Sequence, residues 1–450
     1  MSLTTAEPDR HPLDRLRRDL SLLDATMLVV SSVIGVGIFL TPGTVANLLP
    51  APGWVLTAWL AGGLLSLAGA LANAELGAMY PHAGGDYVYL REAYHPAAGF
   101  LVGWLSFFVI YAGTVATLAV GFAEALAHFC TLNAGAKVLI AAAITTITSW
   151  INYSGVRSGA RFNNITGYLK IAALVGLGIV GPVIGTGSFQ HLAPPFGDAG
   201  VAFGGFGLAL SPILFSYLGW NASVYVASEI RNPERNVPRS LFLGLAVCTV
   251  IYVLVNIVYL YALPVAELRG QVRVGEAAAV GLFGPVGGSV VALLVLASIL
   301  GCLNATILVG PRIAYAMALD GLFFAGAHRV HEANRTPHVA IAVQAITALL
   351  LVAVLQNFPS VLDYTTFAIV LATIADTSAL YALRWRRPDR WRPYRAWGYP
   401  IIPALYMLAN GAIAVAMLRG RPLECGIALA VTSTALPFYL LFARRLSTRT

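Results

Sequence analysis

Two long apolar stretches carry glycine where a membrane helix ought to run unbroken. The first is Ser31-Ser32-Val33-Ile34-Gly35-Val36-Gly37-Ile38-Phe39, and the second is Phe215-Ser216-Tyr217-Leu218-Gly219-Trp220-Asn221. In hydrocarbon an unpaired backbone group costs several kcal/mol, so a spanning segment keeps its helix unless something else meets those groups. A break in mid-bilayer therefore implies a ligand, an ion or a water-filled cavity beside it. Two breaks in corresponding places of two halves are the sequence mark of a secondary transporter's binding site.

The rest of the chain fits that frame. Of its 450 residues, 58% are hydrophobic and 11% charged, against about 25% charged in soluble proteins. Twelve apolar stretches approach the ~20 residues a span needs: 23–48, 54–79, 97–127, 135–153, 163–185, 201–228, 239–263, 279–318, 337–356, 361–383, 399–418 and 423–442. The first is too long for a signal-peptide core, and no small-residue cleavage site follows it, so it is expected to stay as a membrane helix. Cys130, Cys248, Cys302 and Cys425 form no CxxC pair, which supports neither a disulfide framework nor a zinc site. No metal or cofactor is expected.

Lys and Arg set the orientation. With a cytoplasmic N-terminus, 21 of the 28 basic residues fall inside, including Arg10, Arg15, Arg231, Arg235, Arg239, the run Arg384 to Arg395, and Arg449. Five fall outside: Lys137, Arg269, Arg273, Arg419 and Arg421. The formal charge of +8 is thus a topology signal rather than a nucleic-acid surface, and the 384–398 loop reads as an anchor that could touch anionic lipid. Segments 1–22 and 443–450 are expected to be cytoplasmic, in a multi-pass protein of the plasma membrane.

The breaks fall in spans one and six. A unit of five spans repeated once must be inverted, so these two cross side by side in opposite directions. The first repeat is 23–185, the second 201–383, and 399–442 holds spans eleven and twelve.

At Gly35-Val36-Gly37, unwinding leaves N–H groups at the start of a half-helix, where partial positive charge suits a carboxylate. Such glycines also serve where two helices merely pack closely, and this reading stands beside the first. Near Phe215, Pro212 and Gly219 weaken the helix, and freed carbonyls there could accept from an ammonium group. Together the breaks describe a site for an α-amino acid. Phe215 could close over the ligand as a lid, or be a plain core aromatic. Lys170 lies about seven residues inside the fifth expected span, roughly 10 Å deep. An intramembrane lysine marks a function by default; here it could couple transport to a proton, or serve as a fixed counter-charge. The charges of Glu229-Ile230-Arg231-Asn232-Pro233-Glu234-Arg235 are expected in water or headgroups, closing span six.

The motifs IGVGIFLTPG at 34–43, FSYLGWN at 215–221, EIRNPERNVPRSL at 229–241, LNATILVGPRIAYAMALDGLF at 303–323 and RPYRAWGYP at 392–400 run in order through the whole chain. With them the chain resembles the amino acid–polyamine–organocation superfamily, near its L-type amino acid transporter branch. The resemblance implies an all-α LeuT-like fold of twelve transmembrane helices, with an inverted five-helix repeat and discontinuous helices 1 and 6. It implies a substrate site of Ile34, Gly35, Val36, Gly37, Phe215, Ser216, Leu218 and Asn221. There the N–H groups of Val36 and Gly37 would hold the carboxylate, and the carbonyls of Phe215, Ser216 and Leu218 the amine. Asn221 would support the side-chain pocket, and Phe215 would be the gate. Lys170 would reach the unwound stretch near Gly35 and the eighth helix near Ser298 or Cys302. Val36 stands where relatives often carry Ser, and Leu218 where they often carry a small or acidic residue. Cys130 lies roughly where animal light chains carry a heavy-chain-linking cysteine, but no heavy-chain partner is expected on that single residue.

The function expected is secondary active transport of neutral amino acids by alternating access, coupled to protons or run as exchange. Polyamines or cationic amino acids are the alternative, with Asp363 and Asp376 as the nearest acids. An intramembrane enzyme would need a catalytic set within spans, yet His82, His95, His128, His328, His331 and His338 fall in loops or at span ends. A channel is disfavoured by the inverted repeat and the single lysine.

Overall fold

The computed structural model of the chain describes residues 16–197, 203–355 and 358–447. Arg10, Arg15 and Arg449 of the basic set lie outside these residues, as do 201–202 at the start of the sixth expected span and 356 at the end of the ninth. The regular structure of the described residues is helical, apart from two isolated bridges. Among them nine helices are long and apolar enough to cross a membrane. The bent pair Leu22–Val33 and Gly37–Leu48, which meet at 42°, adds one more crossing, the first in chain order. Gly204–Ser216 and His338–Ala353 are apolar but shorter.

Local chemistry explains where these helices begin. Ser21 caps Leu22–Val33 through a capping box: its N–H donates to Asp24 Oδ2 at 2.8 Å, and the Asp24 N–H donates to Ser21 Oγ at 3.2 Å. This satisfies two of the donors that every helix start leaves orphaned. The fifth crossing begins at Val156, earlier than expected, because Gly155 at φ +142° turns the chain into it. Lys170 therefore sits near the middle of a 29-residue helix. The eighth runs Val274–Val309 with a kink at Gly284 (φ +72°), and Pro311–Leu319 continues it.

The two broken crossings lie against each other. Gly37–Leu48 packs on Phe203–Ser216, and Leu22–Val33 packs on Ala222–Tyr225. First half against second half, twice, is the pairing of two segments that cross in opposite directions. Leu22–Val33 is also held by Val156–Ile184, Pro233–Ala262 and Val274–Val309.

Two expectations about charge change here. Glu229 is not in water. It is fully buried and meets Arg312 through both carboxylate oxygens, Oε1 at 2.7 Å and Oε2 at 3.2 Å. Both groups are 1% exposed, so either alone would be a buried charge without a partner; the fold brings together two residues 83 apart in sequence. The 384–398 loop is likewise more than an anchor. Arg384 and Arg392 both pair with the buried Glu75, at 2.6 and 3.1 Å, and the Ala396 N–H adds a bond of 2.7 Å. Arg387 pairs with Glu92 at 2.9 Å. These contacts staple Phe358–Arg386, the tenth crossing in chain order, to the Pro52–Met79 helix and to the short helix Asp86–Ala93.

The end carrying these arginines, here termed the basic end, is sealed. The Leu20 N–H donates to the Glu229 carbonyl at 2.9 Å, the Arg231 N–H to the Leu20 carbonyl at 2.8 Å, and the Gly84 N–H to the Tyr225 carbonyl at 3.2 Å.

Candidate functional site

The first helix stops at Val33 and the second starts at Gly37, so Ile34, Gly35 and Val36 form the break. Its backbone groups fare unequally. Every carbonyl from Ser31 to Ile34 is met by the protein. Lys170 Nζ donates to Ser31 O at 3.0 Å and to Ile34 O at 2.6 Å. Ser298 Oγ also donates to Ile34 O at 3.1 Å, and Cys302 Sγ to Ser32 O at 3.1 Å. Val33 O accepts from the Gly35 N–H at 2.8 Å and from Tyr252 Oη at 2.7 Å. The N–H groups of Val36 and Gly37 have no acceptor among the described residues, and no side chain caps the start of Gly37–Leu48. What this break lacks is an acceptor, and a carboxylate supplies one with the charge that a helix start favours.

The second break follows Ser216, with Gly219 at φ +93°. Of the three carbonyls expected to hold an amine, Phe215 O accepts the Leu218 N–H at 3.0 Å and Ser216 O accepts Tyr252 Oη at 2.8 Å. Leu218 O has no donor among the described residues. The Ser216 carbonyl can accept a second bond, since a carbonyl has two lone pairs.

Glycine does separate work here. A Cβ on Gly37 would fall 2.5 Å from Ser216 Oγ and 2.7 Å from Ser216 Cα. A Cβ on Gly219 would fall 2.5 Å from the Ser32 Cβ. Each break's glycine receives a serine of the other, so close packing and ligand access are served by the same residues.

Between the breaks lies a narrow cavity of about 30 Å³. One water needs about 10–15 Å³, so it holds roughly two. Gly35, Val36, Gly37, Phe215, Ser216, Leu218 and Cys302 of the expected site line it. Two expected residues are placed elsewhere: the Ile34 carbonyl serves Lys170 and Ser298, and the Asn221 amide donates to Tyr225 Oη at 3.2 Å. On the side away from the basic end, a vestibule of about 410 Å³ is lined by Thr41, Thr44, Ser211, Asp363 and Arg421. Asp363 pairs there with Arg421 at 3.1 Å. Neither Asp363 nor Asp376 lines the central cavity.

Sequence reading missed Tyr252 and the π-helix inside the third crossing. The Tyr252 hydroxyl faces carbonyls of both breaks, and having one proton it donates to one of them at a time. The available signal was a tyrosine in mid-span, away from the interfaces where tyrosines gather. The third crossing is a π-helix over Leu105–Tyr111, which sets Ile110 and Tyr111 on the cavity wall; such bulges concentrate at functional sites. Tyr252→Phe is expected to slow substrate counterflow about tenfold, the scale of one hydrogen bond of ~1–1.5 kcal/mol. An unaltered rate would show that the hydroxyl does not govern the breaks.

Comparison with known proteins gives the chain a family. The profile of the family described as amino acid permease matches residues 20–435. The chain is 31% identical over 430 residues to the serine/threonine exchanger SteT of Bacillus subtilis (strain 168), covering 94% of this chain and 96% of that one. It is 30% identical over 434 residues to the human large neutral amino acids transporter small subunit 2, covering 95% and 80%. The human Asc-type amino acid transporter 1 is 28% identical over 445 residues, covering 95% and 82%.

Proposed function

The chain belongs to the amino acid permease family, and from that premise we propose that it carries neutral α-amino acids across the plasma membrane by alternating access. The carrying observation is the asymmetry at the first break, where the carbonyls from Ser31 to Ile34 are engaged while the N–H groups of Val36 and Gly37 find no acceptor among the described residues. A zwitterion meets this need at one end and offers its ammonium to the Leu218 carbonyl at the other. Neutral substrates are favoured because no carboxylate side chain lines the cavity; a cationic substrate would leave its extra charge unmatched in an apolar pocket.

The proposal includes twelve spans in a LeuT-like inverted repeat, with both termini on the cytoplasmic side. The mutual packing of the two broken crossings and the arginines of the basic end support it. It includes no heavy-chain partner linked through the exposed Cys130. In this conformation the basic end is closed, the vestibule is open, and the cavity holds less than the smallest amino acid. Admission of substrate thus requires the walls to part, with Phe215, now buried at 5% exposure, moving as the lid. Coupling is to a proton through Lys170 or by exchange.

A panel of radiolabelled amino acids in proteoliposomes, with and without a pH gradient, tests the reading. Saturable counterflow of neutral amino acids is expected. Its absence across the panel would sink the proposal, and stimulation by the gradient separates proton coupling from exchange. Phe215→Ala is expected to impair occlusion and lower the counterflow rate several-fold; normal kinetics would remove Phe215 from the gate.

A further inference from the structure

At the basic end, two carboxyl groups are buried side by side. Asp86 opens the short helix Asp86–Ala93 and is 2% exposed; Asp376, on the tenth crossing, is fully buried. Asp86 Oδ2 accepts from Tyr225 Oη at 2.5 Å. Its Oδ1 and both oxygens of Asp376 have no hydrogen-bond partner. Asn73, on the Pro52–Met79 helix and 1% exposed, turns its side chain toward Asp376, though without the geometry of a full hydrogen bond. The titratable groups facing the pair are Tyr89, Tyr111, Tyr225 and Tyr406. No arginine or lysine acts on either carboxyl. Arg91 and Tyr87, on the same short helix, turn instead to Asp320.

Two ionised carboxylates cannot stay in this place together. Each would be stripped of water, and each would repel the other. Burial pushes the Asp86 carboxyl above its ordinary value. A metal ion is a poor alternative, because hard cations want about six oxygen ligands and no cluster of three metal-binding side chains exists among the described residues.

We infer that Asp86 and Asp376 form a buried proton-binding site, separate from Lys170, in which one carboxyl O–H donates to the other carboxylate. Its consequence for transport rests on the alternating-access reading; the site itself does not. Tyr225 ends the short helix Ala222–Tyr225 beyond the second break, so the chain Asn221–Tyr225–Asp86 ties that break to the pair. While the proton is held, the pair carries one negative charge instead of two, and the basic end stays shut. When Ala222–Tyr225 swings away to open that end, Asp86 loses its tyrosine donor, water enters and the proton leaves to the basic side. Lower pH on that side therefore favours the closed state.

The test is infrared difference spectroscopy of the full-length protein titrated with base, alongside counterflow at varied pH on the basic side. The expected result is a protonated-carboxyl band at neutral pH in the wild type. It is lost in Asp376→Asn and in Asp86→Asn, and kept in Asp363→Asn. Counterflow of the wild type should fall several-fold as the basic side is acidified, and Asp376→Asn should flatten that profile. A folded wild type without the band, a band surviving in both variants, or a band removed by sodium instead of base would overturn the proposal. The band is read without transport, so a wild type that shows it but no counterflow would sink the transport reading alone.

Discussion

Lys170→Ala is expected to cut uptake by at least about a hundredfold and to abolish accumulation driven by a pH gradient. The ammonium is the donor for the carbonyls of Ser31 and Ile34, at 3.0 and 2.6 Å. Hydrogen bonds to a charged group contribute about 1.5–3 kcal/mol each, and 1.4 kcal/mol is a factor of ten. Ser298 can still serve Ile34 at 3.1 Å, whereas Ser31 O has no other side-chain donor. The stretch should then recoil toward continuous helix or collapse into the narrow cavity, losing the aim of the Val36 and Gly37 N–H groups. Two measurements separate the roles of the lysine. If it only holds the break, counterflow and gradient-driven accumulation fall together; if it also carries the proton, accumulation vanishes at a pH where residual counterflow persists. Undiminished concentrative uptake would refute both.

Gly37→Val is expected to eliminate transport outright, and for a reason the sequence did not suggest. From the sequence, a side chain at Gly37 would strike the bound carboxylate. In the fold it strikes Ser216 first: even one carbon would lie 2.7 Å from the Ser216 Cα, a backbone atom that cannot turn aside. The two breaks would be pushed apart at their closest approach. Gly37→Ala should already be severe, since overpacking a tight contact costs about 1–3 kcal/mol. The measurement is substrate-induced thermal stabilisation together with counterflow. Normal stabilisation by substrate in the valine variant would show that the site lies elsewhere.

Much of this was legible because the membrane is a demanding solvent. Hydrocarbon leaves a backbone only helix, so glycine at 35, 37 and 219 in apolar runs reported the breaks directly. Lys170 stood out for the same reason, a charge where charge is costly. Residues whose chemistry is ordinary in isolation were not legible. Tyr252 looks like any aromatic in an apolar helix until two interrupted segments bring their carbonyls to its hydroxyl. Glu229 sits among Arg231, Glu234 and Arg235 and reads as one more loop charge; only the approach of Arg312 shows it to be interior. Asp86 and Asp376 are 290 positions apart, and nothing local in either neighbourhood names the other.

The amino-acid sequence alone determined that this chain is a helical membrane protein with two interrupted crossings and a buried cation near the first, because those features follow from period, composition and the cost of leaving backbone unpaired in lipid. The tertiary structure decided which freed groups are satisfied internally and which are left for a ligand, and which distant acids and bases become neighbours. That division has a physical cause: the hydrophobic and helical terms act on each segment by itself, whereas hydrogen bonds and ion pairs reach only a few ångströms and exist only once packing has placed their partners.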